Sequence, residues 1–523
     1  MDKFSSFINQ NFKISLIFLF LGIFFGIVYS INLLGFSINS NTLLPSNVRS
    51  LHISLMLYGF IPLMLSYLPF LLINKDGIKS DKGLRYLGLY SIFWYIFLVF
   101  MISSLVLGNT RDLAFYDFPY ELNFILAVSG VFYALALYEY IKLYEVKPLW
   151  IKVSLAIVII APFCLLILMN PIIGQVESTI SGPHGDNTLG MSFALIPIYY
   201  LIIKLLHKGN FNARWHIFWI IPFVFYILSV LYRSFVASLT YEQEWFLQYL
   251  TFLYIPLLYR WFQDAHISKT PKYVLLISIL AFLFVDIEGN ILFIPEFRWL
   301  FHRNDLIVAH AHVAMGVSIL FMTFAILSNH INSLKDIKFY KYYLYGILGI
   351  FLVLSISGFV QAGVIKGDIE ILWSLRTLFG IVVFISFFKL IKLDLKLNSL
   401  QKYNLLGALS DGSTGIILIF LGSYLYPLLG FKFSNSYEYI VFIFVFTTGI
   451  IHYFAFISKK SQYEFTLLTA IIRIFVSSMF FALYLNGSLS YEALFITVFD
   501  LSFSVLFFII FYKKEFSCFQ KLL

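Results

Sequence analysis

Sixteen apolar runs, each long enough to cross the hydrocarbon of a bilayer, leave this chain little other material to fold with. They lie near residues 14–35, 50–73, 86–108, 121–141, 151–170, 187–206, 215–232, 245–261, 273–293, 305–328, 342–364, 371–391, 405–430, 438–457, 464–486 and 489–512. A spanning helix needs about 20 such residues, and it satisfies its own backbone hydrogen bonds where lipid offers none. Of the 523 residues, 60 % are hydrophobic and 12 % charged. A soluble globular chain carries roughly 25 % charged residues, which excludes a soluble enzyme. The expected fold class is an all-α polytopic membrane protein. The first run is too long for a signal-peptide core and no small-residue cleavage site follows it, so a cleaved leader is not expected.

The net charge of +9 does not point to nucleic acid, because the basic residues sit between apolar runs rather than in a patch. They also alternate. Lys75, Lys79, Lys82 and Arg85 follow the second run, and Lys142, Lys147 and Lys152 the fourth. Lys335, Lys338 and Lys341 follow the tenth, and Lys389, Lys392, Lys396 and Lys402 the twelfth. The positive-inside rule then puts both termini in the cytoplasm. Cys164 and Cys518 are the only cysteines, which provide no disulfide framework, no zinc set and no Cys-x-x-Cys-His for covalent haem.

Polar groups inside the spans carry the functional signal, since a charge at mid-bilayer costs about 2.5–3.5 kcal/mol. Three of the ten histidines form a pattern: His52 near the start of run two, and His310 and His312 near the start of run ten. Both runs begin on the same side, so the three imidazoles share a depth. Residues two apart on a helix are turned by about 200°. His310 and His312 therefore suit two cofactors on opposite faces of one helix better than one shared metal, and His52 can complete one of the two. Imidazole is a good ligand to haem iron.

These residues carry a family resemblance. The segment His302-Arg-Asn-Asp305-Leu-Ile-Val-Ala-His310-Ala-His312 resembles the tenth helix of subunit I of the haem–copper oxidases, and most of all the C family, the cbb-type cytochrome oxidases. Arg49-Ser-Leu-His52 resembles that family's second-helix haem motif. Glu288-Gly289, fourteen residues before His302, is similar to its Glu-Gly pair, and Gly358-Phe-Val-Gln361-Ala-Gly363 and Arg376 also look like the family's. The resemblance covers about residues 10–395. It implies a twelve-helix haem-binding core over 1–395 and a four-helix membrane extension of unknown role over 396–523. It also implies two b-type haems. His52 and His312 would be the axial pair of the low-spin haem and His310 the proximal ligand of the high-spin one. Glu288 would lie near that proximal histidine, and Arg49, His302 and Asp305 would line the propionates.

The copper site departs from the family pattern. The family holds its copper with one histidine from the sixth helix and an adjacent pair from the seventh, and this sequence has no His-His pair. Gly185-Asp186-Asn187-Thr188-Leu189-Gly190 matches the sixth helix except that Asp186 stands at the histidine position, with His184 two residues earlier. Leu231 and Tyr232 fall at the paired positions of the seventh, and Phe225 at the redox tyrosine, with Tyr226 one off register. One imidazole plus a carboxylate is a poor copper set. Copper is therefore not expected, and non-haem iron is not favoured. His184, Asp186 and Glu288 are the remaining candidates for chemistry at the high-spin haem.

Beyond the core, Arg473 and Asp500 lie deep in the last two runs. Opposite charges at depth pair, so an ion pair joining the two helices is expected, with a proton or quinol site as the alternative. His452 reads as a buried, hydrogen-bonded histidine. The chain has no c-type haem motif or soluble redox domain, so a cytochrome c-type subunit or the quinol pool would donate electrons, with dioxygen or nitric oxide as the ligand. Three functions fit: a di-haem b electron carrier in a bacterial inner membrane; an active terminal oxidase or nitric oxide reductase with an atypical binuclear centre; and a non-catalytic haem-based gas or redox sensor or assembly subunit.

Overall fold

A computed structural model describes residues 3–35, 44–111, 117–145, 185–301 except 210, 212 and 213, 304–390, and 398–519 except 429–431, 435, 436, 459, 460, 490 and 492. These residues fold into helices and connections, with no strand among them. Eleven helices are long and apolar enough to span a membrane, or twelve if the bent pair Ser399–Ile419 and Leu421–Pro427 is one span. The chain divides into two compact units. Unit 1 holds residues 1–36 and 45–392, and unit 2 holds residues 37–44 and 393–523.

In unit 1 the helices are α1 (Lys3–Leu33), α2 (Pro45–Lys75), α3 (Asp81–Val106), α4 (Tyr120–Ile141), α5 (Gly185–Leu206), α6 (Ile217–Phe235), α7 (Tyr241–Tyr249), α8 (Tyr254–Asp264), α9 (Lys269–Leu292), α10 (Asp305–Ser328), α11 (Ile337–Gln361) and α12 (Ile369–Ser386). The run at 151–170 lies outside the described residues. The run at 245–261 is not one helix: it breaks into α7 and α8 around a 3-10 turn, Leu250–Leu253. Pro256 accounts for the break, because its ring clashes with the carbonyl four residues earlier and it has no N–H to offer. Two further prolines, Pro62 and Pro69, stand at the starts of new helical segments within α2. α6 has only the short apolar stretch Ile217–Arg233.

The end of α10 is the centre of the unit, since every residue from Leu320 to Ser328 is buried. Between this end and the histidines, Ala314–Ile319 winds as a π-helix, which widens the coil and turns the later residues relative to the earlier ones. Two carbonyls there receive side-chain hydroxyls. Tyr343 Oη donates to Gly316 O at 2.8 Å, and Ser278 Oγ to Ser318 O at 2.6 Å. Glycines set the helix spacing. A Cβ on Gly358 of α11 would meet the Leu306 backbone nitrogen at 2.6 Å, and one on Gly349 would run into the Phe379 ring of α12.

In unit 2 the helices are α13 (Ser399–Leu428), α14 (Tyr437–Ile457), α15 (Gln462–Leu485) and α16 (Ala493–Phe519). α13 and α14 pack closely enough that a Cβ on Gly449 would run into the Gly412 backbone.

Candidate functional site

On α1, Gly22 and Gly26 stand one turn apart toward α2. A Cβ on Gly22 would meet Leu55 Cβ at 3.1 Å, and one on Gly26 would meet His52 Nδ1 at 2.7 Å. Small residues four apart let two membrane helices approach closely, and here the approach brings an imidazole to a backbone carbonyl. His52 Nδ1 lies 2.7 Å from Gly22 O. On α10, His312 Nδ1 lies 2.7 Å from Val308 O, one turn back. A carbonyl only accepts, so each Nδ1 carries the proton and donates, and each Nε2 is left with a bare lone pair.

The two rings face one another across the α2–α10 gap, with centroids 6.3 Å apart and planes inclined 23°. Two metal–nitrogen bonds of about 2 Å, with half an imidazole ring beyond each, span about 6 Å. The spacing and the fixed tautomers fit a metal held between two Nε2 atoms.

His310 turns to the other side of α10. Its Nδ1 lies 3.2 Å from Glu288 Oε2 on α9. Gly289 leaves room beside it, since a Cβ there would sit 3.7 Å from His310 Cε1. A carboxylate on Nδ1 orients a ligating imidazole and raises its basicity. The two histidines of α10 thus have separate surroundings, one toward α2 and one toward α9.

Asp305 opens α10, and three donors converge on its Oδ2: Ser357 Oγ at 2.6 Å, Trp373 Nε1 at 2.8 Å and Gln361 Nε2 at 3.0 Å. Arg376 lies over the Trp373 ring, 5.5 Å from its centroid. Its Nε donates to Ser30 Oγ at 2.9 Å, which in turn meets Thr377 Oγ1 at 2.6 Å. Arg376 is 9 % exposed, and its Nη2 is buried with no hydrogen-bond partner among the described residues. A buried guanidinium with a spare donor is built for an anion, and a carboxylate suits its fork. The sequence offered Arg376 only as part of a resemblance; the orphaned Nη2 makes it a candidate site residue.

Arg49 lies exposed on α2. His302 and His184 fall outside the described residues, and Asp186 is on α5 with nothing described of its side chain. Among the buried carboxyls that the sequence reading passed over is one on α9. Asp286, 6 % exposed on α9, accepts from Ser192 Oγ at 2.8 Å, and its Oδ2 has no partner among the described residues. The signal was an aspartate within the run at 273–293.

No family model matches this sequence, and no curated protein matches it. Among solved structures the chain is similar to a heme-copper terminal oxidase, a dimer determined by cryo-electron microscopy. The TM-score is 0.50 at 11 % identity, covering 75 % of this chain and 83 % of that one. At that identity the likeness is one of fold.

Proposed function

We propose that this chain is a membrane-bound di-haem b redox protein on a haem–copper oxidase fold, taking electrons from a cytochrome c or quinol donor toward a high-spin haem. The supporting observation is the His52–His312 pair, two imidazoles 6.3 Å apart whose Nδ1 protons are committed to carbonyls. In this reading His52 and His312 would hold the low-spin haem, and His310 would hold the high-spin haem. Haem supplies one-electron chemistry and, where an axial position is open, a seat for a diatomic ligand.

The protein's own groups do the rest. The Gly22 and Val308 carbonyls hold the His52 and His312 rings in one tautomer. Glu288 holds the proton of His310 Nδ1 and strengthens that imidazole as a donor. Arg376 offers its free Nη2 to a propionate. Asp305, with its Oδ2 already taken by three donors, acts by fixing Trp373 beneath that guanidinium. Arg49 and His302 belong to the propionate region by resemblance, and His184 and Asp186 to the distal side of the high-spin haem. The basic loops put both termini on the cytoplasmic side of a bacterial inner membrane.

The test is a reduced-minus-oxidised spectrum with metal analysis of the full chain. Two irons per chain are expected, and a preparation that stays colourless despite ample porphyrin overturns the reading. The fold likeness favours one second reading, an active terminal oxidase or nitric oxide reductase. Sustained dioxygen or nitric oxide consumption with a reduced donor, together with a third metal, would select it.

A further inference from the structure

We infer that unit 2 contains a buried binding site for one proton, formed by Asp411, His452, Arg473 and Asp500. The inference is independent of haem binding. Each of the four residues comes from a different helix, α13 to α16. Arg473, 3 % exposed, joins two carboxylates: its Nη2 lies 2.6 and 2.7 Å from the two oxygens of Asp411, and its Nη1 bonds Asp500. Its guanidinium lies over the Phe503 ring, 4.2 Å from the centroid. The ion pair expected between the last two helices is therefore one arm of a triad. Two carboxylates against one guanidinium leave one negative charge uncompensated, and a lone charge is costly inside an apolar bundle.

The neighbouring histidine has the complementary defect. Asn404 Nδ2 spends its donors on Leu400 O at 2.9 Å and Thr466 Oγ1 at 2.7 Å, so its Oδ1 is what faces His452 Nδ1 at 3.0 Å. His452 Nδ1 must then donate, and in the neutral ring Nε2 is a bare lone pair. That Nε2 belongs to a residue with 0 % exposure, has no hydrogen-bond partner among the described residues, and points at Asp411 Oδ2 across 3.8 Å. A gap of that size is too long for a hydrogen bond, and two lone pairs face each other across it. Gly407 confines the ring, since a Cβ there would meet His452 Nε2 at 2.6 Å.

A single proton on His452 Nε2 or Asp411 Oδ2 cures both defects. It brings the cluster from a charge of −1 to neutrality and gives Nε2 and Oδ2 a bond to share. Uptake takes one proton from water and release returns it, with no other bond changed. The groups facing the site are Tyr403 and Asp411 of α13, His452 of α14, Arg473 of α15 and Asp500 of α16. An alkali cation is the poorer occupant, because Arg473 already covers both Asp411 oxygens and the imidazole nitrogen is a weak ligand for a hard ion.

Infrared spectra of the full chain in H2O and D2O test this. The wild type is expected to show one exchangeable imidazolium or carboxylic-acid band. Asp411→Asn, which leaves Arg473 paired one to one with Asp500, is expected to lose it. His452→Gln is expected to move the band to the carboxylic-acid region. A wild type with a neutral His452 and two ionised carboxylates overturns the proposal. So does a band unchanged in Asp411→Asn, or one abolished by sodium chloride but not by choline chloride. Should Asp411→Asn fail to fold, the ring-nitrogen resonances of His452, assigned by their loss in His452→Gln, decide the question. An Nε2 that neither carries nor accepts a proton, with the same shift in H2O and D2O, refutes it, and an Nε2 that is protonated or shifted by accepting a proton from Asp411 supports it.

Discussion

His52 and His312 stand ring to ring, 6.3 Å between centroids and 23° between planes, each with Nδ1 bonded to a backbone carbonyl. If they share one iron, His312→Ala removes half of its axial set and leaves His310 untouched. The low-spin haem band should disappear while the high-spin band remains, and added imidazole should restore part of the first. Loss of both bands in equal measure, in a variant that still elutes as folded protein, would count against separate sites for His310 and His312.

Gly26 holds the clearance behind His52. A methyl group there would lie 2.7 Å from His52 Nδ1, so Gly26→Ala must push the ring off the Gly22 carbonyl or part the two helices. Overpacking of this kind costs about 1–3 kcal/mol. The expected outcome is a lower Tm together with a weakened low-spin band. A fall in Tm with the band intact would mean the helices yield and the ring does not.

Arg376 keeps a charged, buried Nη2 without a partner among the described residues. If that donor serves a propionate, the cation holds the haem potential up by stabilising the electron added to it. Arg376→Met should lower the midpoint potential of one haem and weaken its retention, with a modest fall in Tm from the lost Nε bond to Ser30 Oγ. An unchanged potential in a redox titration would remove Arg376 from the haem site.

The polar end of α5 carries a pH-sensitive contact. His207 stacks on His266 with centroids 5.6 Å apart, and its Nδ1 accepts from the His266 backbone N–H at 3.0 Å. Desolvation first, then the neighbouring His266 and Lys75, hold the His207 imidazole below its ordinary value of 6.5. The folded form disfavours the proton, so the contact is intact above pH 6.5 and weakens as pH falls through the lowered value. Thermal melts should show stability declining below about pH 6.5, and His207→Gln should flatten part of that slope. A slope identical in the variant would place the titration elsewhere.

The legible part of this molecule was its apolar runs and the polar residues that interrupt them. His52, His310, His312, Arg473 and Asp500 stood out because each is expensive in lipid, and Glu288 because its Glu-Gly pair resembles the family's. What settles their chemistry was not legible, since it lies in backbone. The Gly22 and Val308 carbonyls fix the imidazole tautomers, and any residue would supply a carbonyl there. Asp411 was hidden for another reason. It sits in Ser410-Asp-Gly-Ser-Thr414, which looks like a turn, yet all five residues are helical. The broken run at 245–261 had a readable cause in Pro256. The π segment after Val313 had none, because nothing in Ala314–Ile319 differs from ordinary helix sequence.

That π segment is itself testable. The wide coil leaves carbonyls poorly matched to their own helix, and Tyr343, 1 % exposed, donates its hydroxyl to Gly316 O at 2.8 Å. Tyr343→Phe keeps the ring and strands the carbonyl in a buried place, at a cost of about 1–3 kcal/mol. Because the segment begins directly after Val313, a relaxation back to regular α-helix would turn His310 and His312 relative to the buried end of α10. The expected result is a lower Tm with both haem bands perturbed together. If the bands stay fixed while Tm falls, the π segment serves the packing of Leu320–Ser328 and not the aim of the histidines.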